Sequence, residues 1–329
     1  MKKKKILSIS IAAYNVETMI EQCITSFIDK EIIEDVELII TDDGAKDKTM
    51  EIAEKYAKLY PDSIKLVYKQ NEGPGSTVNS GIKNATGKYF RMVDGDDWVN
   101  TENFCDLVKY LKTCEDDMVV CDYDIFDNND KKIIETKTLQ IEPNKSLLIN
   151  EIYNLLPAEM HATVYKLEKY KKSKVVLDNC FYTDVEYQLF PIPFVDTVSY
   201  FNKSIYVYRV ARAGQSVSPE SRIRNIAQHE RVLKRLINYY LENKKSLSIG
   251  QSLYMIKRLD LMIGAHIEIF CLMERNKENK NKLKEFVEYC YNQCPECCKG
   301  KKIVLLKKSN YILYGLVRFL CRRRMNKNA

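Results

Sequence analysis

Along the first 125 residues, short apolar runs alternate with stretches in which apolar residues recur every three or four positions. The runs at residues 6–13, 36–41, 64–68, 89–93 and 118–121 predict buried strands. Between them, Ile20, Cys23, Ile24 and Phe27 predict a helix over 17–27. Ile52, Ala53, Tyr56 and Leu59 predict another over 48–59, and residues 76–85 and 104–111 continue the series. Strands alternating with helices of this length predict an α/β fold with a mainly parallel sheet covered on both faces. Residues 125–138, centred on Asp127-Asn128-Asn129-Asp130, predict a hairpin, and 195–208 hold two strand-like runs around Asn202-Lys203. From Glu220 the pattern turns helical. Ile226, Leu233, Ile237, Tyr240 and Leu241 line one face, and Leu253, Ile256, Leu259, Ile263, Ile267 and Phe270 continue it. A boundary near Val217 therefore separates a domain at 1–217 from a helical region at 218–329. No apolar run reaches 18 residues, so no transmembrane helix is predicted.

Composition adds three points. The 329 residues exceed the ~250–300 at which a single core usually stops growing, which agrees with two domains. With 45% hydrophobic and 29% charged residues the chain is globular, not collagenous, low-complexity or a small disulfide scaffold. Eleven cysteines, odd in number and scattered, predict reduced thiols in a cytosol. Cys290, Cys294, Cys297 and Cys298 are the exception in spacing and can be read as a zinc site or as solvent-side thiols at a helix end. The start, Met1-Lys2-Lys3-Lys4-Lys5 before an apolar run, imitates a signal peptide. The run is short, carries Ser8 and Ser10, and lacks a small-residue cleavage site, so a buried first strand is the expectation.

The chemistry gathers where strands end. The predicted turns are Tyr14-Asn15, Asp42-Asp43-Gly44, Asn71-Glu72-Gly73-Pro74-Gly75 and Asp94-Gly95-Asp96-Asp97. In open parallel sheets ligands bind outside the carboxyl ends of the strands. Carboxylates recurring at two such ends exceed what turn-forming alone requires. Alternation along an extended segment lets Asp94 and Asp96 project together while Asp97 points elsewhere. Carboxylates suit Mg²⁺ or Mn²⁺, whose remaining ligands are commonly phosphate oxygens. The acids can alternatively cap a helix starting near Thr101.

Residues 9–16 (I-S-I-A-A-Y-N-V), 38–47 (L-I-I-T-D-D-G-A-K-D), 79–87 (N-S-G-I-K-N-A-T-G) and 89–98 (Y-F-R-M-V-D-G-D-D-W) together resemble the family 2 glycosyltransferases of bacterial cell-envelope polysaccharide synthesis. The resemblance is specific over residues 5–125 and weaker to about 215. It implies a GT-A, Rossmann-like sheet, a nucleotide-diphosphate-sugar donor, a divalent metal and inversion at the anomeric carbon. It also implies that Ala13 and Tyr14 border the base and that Asp43, beside Asp42, accepts from a uracil-type edge. Asp96 would contact ribose or metal, Asp97 would be a metal ligand, and Asp94 completes the motif. The acceptor base would be Asp184 in Tyr182-Thr183-Asp184-Val185-Glu186-Tyr187, with Asp178 and Glu186 as fallbacks; its alternative role is to cap the following helix. Val207 to Ser218 resembles a closing basic loop, with Arg209 and Arg212 facing diphosphate or simply solvated. Asn79 lies within the helix at 76–85, whose start is expected to touch the donor, but Val78 and Ala45 stand where relatives often have arginine and serine. No Q-x-x-R-W motif occurs, which argues against processive synthases. His161 is either an acceptor-side or a packing residue, and His229 and His266 are expected to be structural.

The implied activity is a non-processive, hexosyl-type transfer from a UDP-linked donor to a hydroxyl of a glycan or lipid-linked acceptor in the cytoplasm. A sugar-nucleotide nucleotidyltransferase should carry a G-x-G-T-R-type loop where Ala12-Ala13-Tyr14-Asn15 stands, and a non-catalytic binding relative should have lost acids. Charge divides the chain. From Glu220 onward, 24 basic and 10 acidic residues give +14, against 28 and 35, or −7, before it. After Glu296 ten basic residues and no acidic one remain. Apolar runs with Tyr311, Tyr314 and Phe319 interleave them. The tail suits an anionic membrane surface, peripheral on the inner face. The alternatives are packing on its own domain or a homo-oligomer contact; no motif supports nucleic acid.

Overall fold

The computed structural model describes residues 4–157, 159–211 and 218–325. The chain divides into two compact units, Met1–Ala213 and Gly214–Ala329. Val217, where the sequence places the boundary, lies outside the described residues.

In the first unit, β1 (Leu7–Ala13), α1 (Ile20–Ser26), β2 (Val36–Asp42), α2 (Thr49–Leu59), β3 (Ile64–Tyr68), α3 (Pro74–Asn84) and β4 (Tyr89–Asp94) follow one another. They continue into β5 (Trp98–Val99), α4 (Thr101–Thr113), β6 (Met118–Asp127), β7 (Lys132–Lys137) and β8 (Ser146–Leu148). After α5 (Ile149–Ile152) come β9 (Thr163–Lys166), α6 (Leu167–Lys172), α7 (Thr183–Leu189) and β10 (Thr197–Val210). The sheet order is β3-β2-β1-β4-β9-β6-β10-β5, with β7 on β6 and β8 on β10. The long ladders, β1 with β2 and β4, β2 with β3 and β6 with β10, are parallel. This is a GT-A fold, a mixed α/β sheet whose β3-β2-β1-β4 half is parallel.

The apolar runs are strands because both sheet faces are covered. Leu7, Ile9, Ile11, Leu38 and Ile40 are inaccessible and join Ile20, Ile24, Phe27, Phe104 and Leu107 in one core. The hairpin at 125–138 forms, with Asp127 opposite Lys132. The two runs at 195–208 are one strand. Register shifts at Phe201 and Ser204 bend β10 where Asn202-Lys203 interrupts the apolar pattern.

The second unit is helical: α8 (Pro219–Arg224), α9 (Ile226–Asn243), α10 (Ile249–Leu272), α11 (Lys277–Gln293), α12 (Lys301–Lys308) and α13 (Tyr314–Met325). Ser248 caps α10 by accepting from the Gln251 amide. Arg318 and Arg322 donate to the carbonyls of Phe270, Cys271 and Leu272 at the other end of α10, where cations oppose the helix dipole. These arginines thus serve their own unit. Cys290, Cys294, Cys297 and Cys298 are buried rather than solvent-side, because the end of α11 folds back into the helical core. Cys294 and Cys297 form a disulfide, which departs from the expectation of reduced thiols throughout; the other nine cysteines are buried thiols. Among the described residues no helix is long and apolar enough to cross a membrane.

Candidate active site

Strand register brings the polar turns together. Ala13 at the end of β1 pairs with Asp42 at the end of β2, and Ala12 pairs with Asp94 at the end of β4. The chain then turns tightly. Gly95 donates to the Ala12 carbonyl at 3.1 Å, and a Cβ on Gly95 would lie 2.5 Å from that oxygen. The turn carries the carboxylates of Asp94, Asp96 and Asp97 to within 4.8 Å of one another. Asp97 therefore converges with the other two, against the alternation expected of an extended segment, because the backbone leaves the strand at Gly95. The helix-cap alternative fails as well: the N-cap of α4 is Asn100, whose side chain accepts from Asn103.

Asp97 is buried, and its oxygens are oriented by strand β10. Tyr206 Oη donates to Oδ2 at 2.6 Å and the Arg209 amide to Oδ1 at 2.8 Å. Burial, then the charges of Asp96 and Asp94, push the Asp97 carboxyl well above the usual carboxylate range. An all-oxygen set that repels itself in this way fits a hard divalent cation such as Mg²⁺ or Mn²⁺. The Tyr206 ring rests against the His161 ring at 4.7 Å and the buried Arg91 guanidinium at 5.3 Å. His161 stacks on Tyr208 at 4.3 Å. Burial and Arg91 lower His161 to about 3, so it packs as a neutral ring. Sequence reasoning missed Tyr206 and Arg91. The available signal was the alternation of Tyr206 and Tyr208 in β10, which puts both rings on one face.

A second line of contacts starts at Asp43. Its buried carboxylate pairs with Lys69 Nζ at 2.5 Å and accepts from the amides of Glu72 and Gly73 at 3.0 Å each. This fixes the turn into α3. Gly75 then allows the chain at 178 to approach; a Cβ there would sit 2.0 Å from the Asp178 carbonyl oxygen. Asn79 clamps the same segment, donating to the Leu177 carbonyl and accepting from the Leu177 amide, both at 2.9 Å. Glu186 accepts from the Asp178 amide at 2.6 Å. The segment leads into α7, where Asp184 is exposed and is the second helical residue; Tyr182 is the N-cap. The Tyr208 hydroxyl is raised to about 12 by burial and then by the charges of Asp97, Asp94, Asp96 and Asp184. One tyrosine thus stands within electrostatic reach of the acid cluster and of Asp184.

The remaining expected residues divide. Asp42 Oδ1 accepts from Ala45 and shapes the Asp-Asp-Gly turn. Ala13 is buried and Tyr14 is exposed beside it. Asn79 holds backbone, as described. Arg209 does not lie in a solvated loop. It is a strand residue, 7% exposed, with its guanidinium 4.5 Å from the Trp98 ring. Its Nε donates to the Asp96 carbonyl at 2.8 Å and its terminal nitrogens to Asn128 and Gln22. Its observed contacts support the acid turn from beneath. Arg212 lies outside the described residues.

Comparison with known proteins gives the family and the fold. Uncharacterised glycosyltransferase EpsJ of Bacillus subtilis (strain 168) is 30% identical over 215 residues, covering 62% of this chain and 61% of that protein. Minor teichoic acid biosynthesis protein GgaB of the same organism is 31% identical over 144 residues, covering 41% of this chain and 16% of GgaB. The chain thus spans less than two thirds of the length of these curated relatives. The crystal structure of S. aureus TarS 1–349 in complex with UDP-GlcNAc matches in fold, with a TM-score of 0.66 at 18% identity, over 97% of this chain and 92% of that one. The glycosyl transferase family 2 model matches residues 8–173, the stretch that holds the ends of β1, β2 and β4. With half of its length matched in this way, the chain belongs to glycosyl transferase family 2.

Proposed function

We propose that this chain transfers one sugar from a UDP-linked donor to a hydroxyl of a cell-envelope glycan or lipid-linked acceptor, in a single metal-dependent, inverting and non-processive step. The observation that carries this reading is the convergence of the Asp94, Asp96 and Asp97 carboxylates within 4.8 Å of one another at the end of β4. UDP as the nucleotide is supported by the structural neighbour TarS, whose crystal forms include complexes with UDP-GlcNAc and UDP. A cell-envelope acceptor is supported by GgaB, named for teichoic acid biosynthesis. We place the reaction in the cytoplasm.

Asp96 and Asp97, with Asp94 beside them, would hold Mg²⁺ or Mn²⁺. The ion supplies positive charge where the departing diphosphate gains negative charge. Tyr206 and Arg209 keep Asp97 aimed at that position. Asp43, Asp42, Ala13 and Tyr14 form the nucleoside side of the site at the ends of β1 and β2. Asp184, exposed on α7, takes the proton of the acceptor hydroxyl. The hydroxyl oxygen forms the new bond to the anomeric carbon while the bond from that carbon to the diphosphate oxygen breaks, and the nucleoside diphosphate leaves with the electron pair. One displacement inverts the centre.

The test is Asp184→Asn, which keeps size and hydrogen bonding but cannot accept the proton. Transfer should fall by about 10²–10⁴-fold, while binding of UDP, followed by calorimetry, stays at the wild-type level. Wild-type transfer by the variant would remove Asp184 as the base.

A further inference from the structure

We propose that α13 and the turn before it form a surface that binds anionic lipid bilayers. The segment is apolar on two sides. Tyr311, Tyr314, Val317 and Cys321 are buried in the helical unit. Ile312, Leu313, Leu316, Phe319 and Leu320 face outward, with Ile312 80% and Phe319 60% exposed. Side chains three and four residues apart share a helix face, so Leu316, Phe319, Leu320 and the exposed Arg323 form one stripe. Beside it, Leu305, Val317, Leu320 and Cys321 line a groove of about 190 Å³ together with Lys301, Lys302 and Glu268; Lys302 is paired with Glu268, which among the described residues leaves Lys301 as the groove's unneutralised cation. Few proteins leave so many large apolar side chains in contact with water over so short a stretch without a partner for them.

Charge selects the partner. From Lys299 to the end of the chain there are ten basic residues and no acidic one. Lys299, Lys301, Lys308 and Arg323 are exposed. Lys301 and Arg323 adjoin the apolar stripe itself, and a second copy of the same surface would bring these like charges together. An anionic bilayer accepts both features: apolar side chains enter the boundary between headgroups and acyl chains, and lysines and arginines meet the negative surface. This surface is independent of the transfer chemistry and goes beyond it.

The experiment is cosedimentation of the full chain with vesicles of phosphatidylcholine, alone or mixed with phosphatidylglycerol. Wild-type protein should sediment with the anionic vesicles, not with the neutral ones, and less as salt is raised. Leu316→Ser/Phe319→Ser removes apolar area without changing charge, and Lys301→Gln/Arg323→Gln removes charge while leaving the apolar side chains Leu316, Phe319 and Leu320 in place. All four side chains are exposed, so thermal stability should be retained, and each variant should bind about tenfold more weakly or worse. Failure of the wild type to sediment with anionic vesicles would overturn the proposal. So would undiminished binding by the serine variant. Light scattering that finds a wild-type dimer dissolved by the serine variant would assign the stripe to a second copy and overturn it too.

Discussion

Asp97 shows how much of a buried carboxylate's character comes from residues far away in the chain. Its oxygens are aimed by Tyr206 Oη and the Arg209 amide, more than a hundred residues downstream. Partners that orient a metal ligand are commonly worth 10–100-fold in metal affinity. Tyr206→Phe removes one hydrogen bond and leaves the packed ring in place. Mn²⁺ titration should show a 10–100-fold weaker site in this variant, with UDP affinity in EDTA and thermal stability close to wild type. Unchanged Mn²⁺ affinity would mean that Tyr206 only fills space. The acids themselves were legible in the sequence, because carboxylates repeated at strand ends have few other uses. Their geometry was not. Asp97 joins the cluster through a turn at Gly95 that strand alternation does not describe. The clamp of Asn79 on Leu177 spans 98 residues, and nothing in the local pattern near Asn79 announces it.

At the scale of elements, the first strands and helices were readable because their apolar residues face a core on a fixed period. Element ends that depend on tertiary pairing were not. β6 continues to Asp127, six residues past the apolar run, since β7 and β10 pair with its polar half. The short β9 lies between β4 and β6 and is antiparallel to both, an insertion that no hydrophobic period signals. In the second unit the periodicity placed His229 and His266 on buried helix faces, and the structure pairs them, with 3.0 Å between their Nδ1 atoms. Burial, and Arg222 nearby, lower His229 to about 4. Burial, His229 and Lys234 hold His266 well below the usual range, with the Glu230 carboxylate 3.8 Å from its Nε2. An unfolded histidine titrates near 6.5, so below that pH the unfolded chain takes up protons that the folded chain refuses. Stability should therefore fall from pH 6.5 to about 4, on the order of 3 kcal/mol for a histidine shifted as His229 is. Thermal unfolding across that window should show a smaller fall for His229→Gln/His266→Gln than for wild type. An equal fall would place the acid sensitivity elsewhere.

At the scale of the molecule, the −7 and +14 halves correspond to different work. The acidic half gathers carboxylates at the carboxyl ends of β2 and β4, where the proposed cation and diphosphate would be held. The basic half spends part of its charge on itself: Arg318 and Arg322 serve the end of α10, and Lys307 pairs with Glu288 at 2.6 Å. Removing the tail outright would also strip Ile303, Leu306, Tyr314 and Val317 from the helical core, so surface substitutions are the cleaner probe of what it binds. The central claim concerns the acidic half, and single-turnover transfer from a UDP-sugar, with Mn²⁺ and with excess EDTA, tests it most directly. Transfer should proceed with Mn²⁺, be lost in EDTA and return when Mn²⁺ is added back. Transfer at the full rate in excess EDTA would contradict that claim.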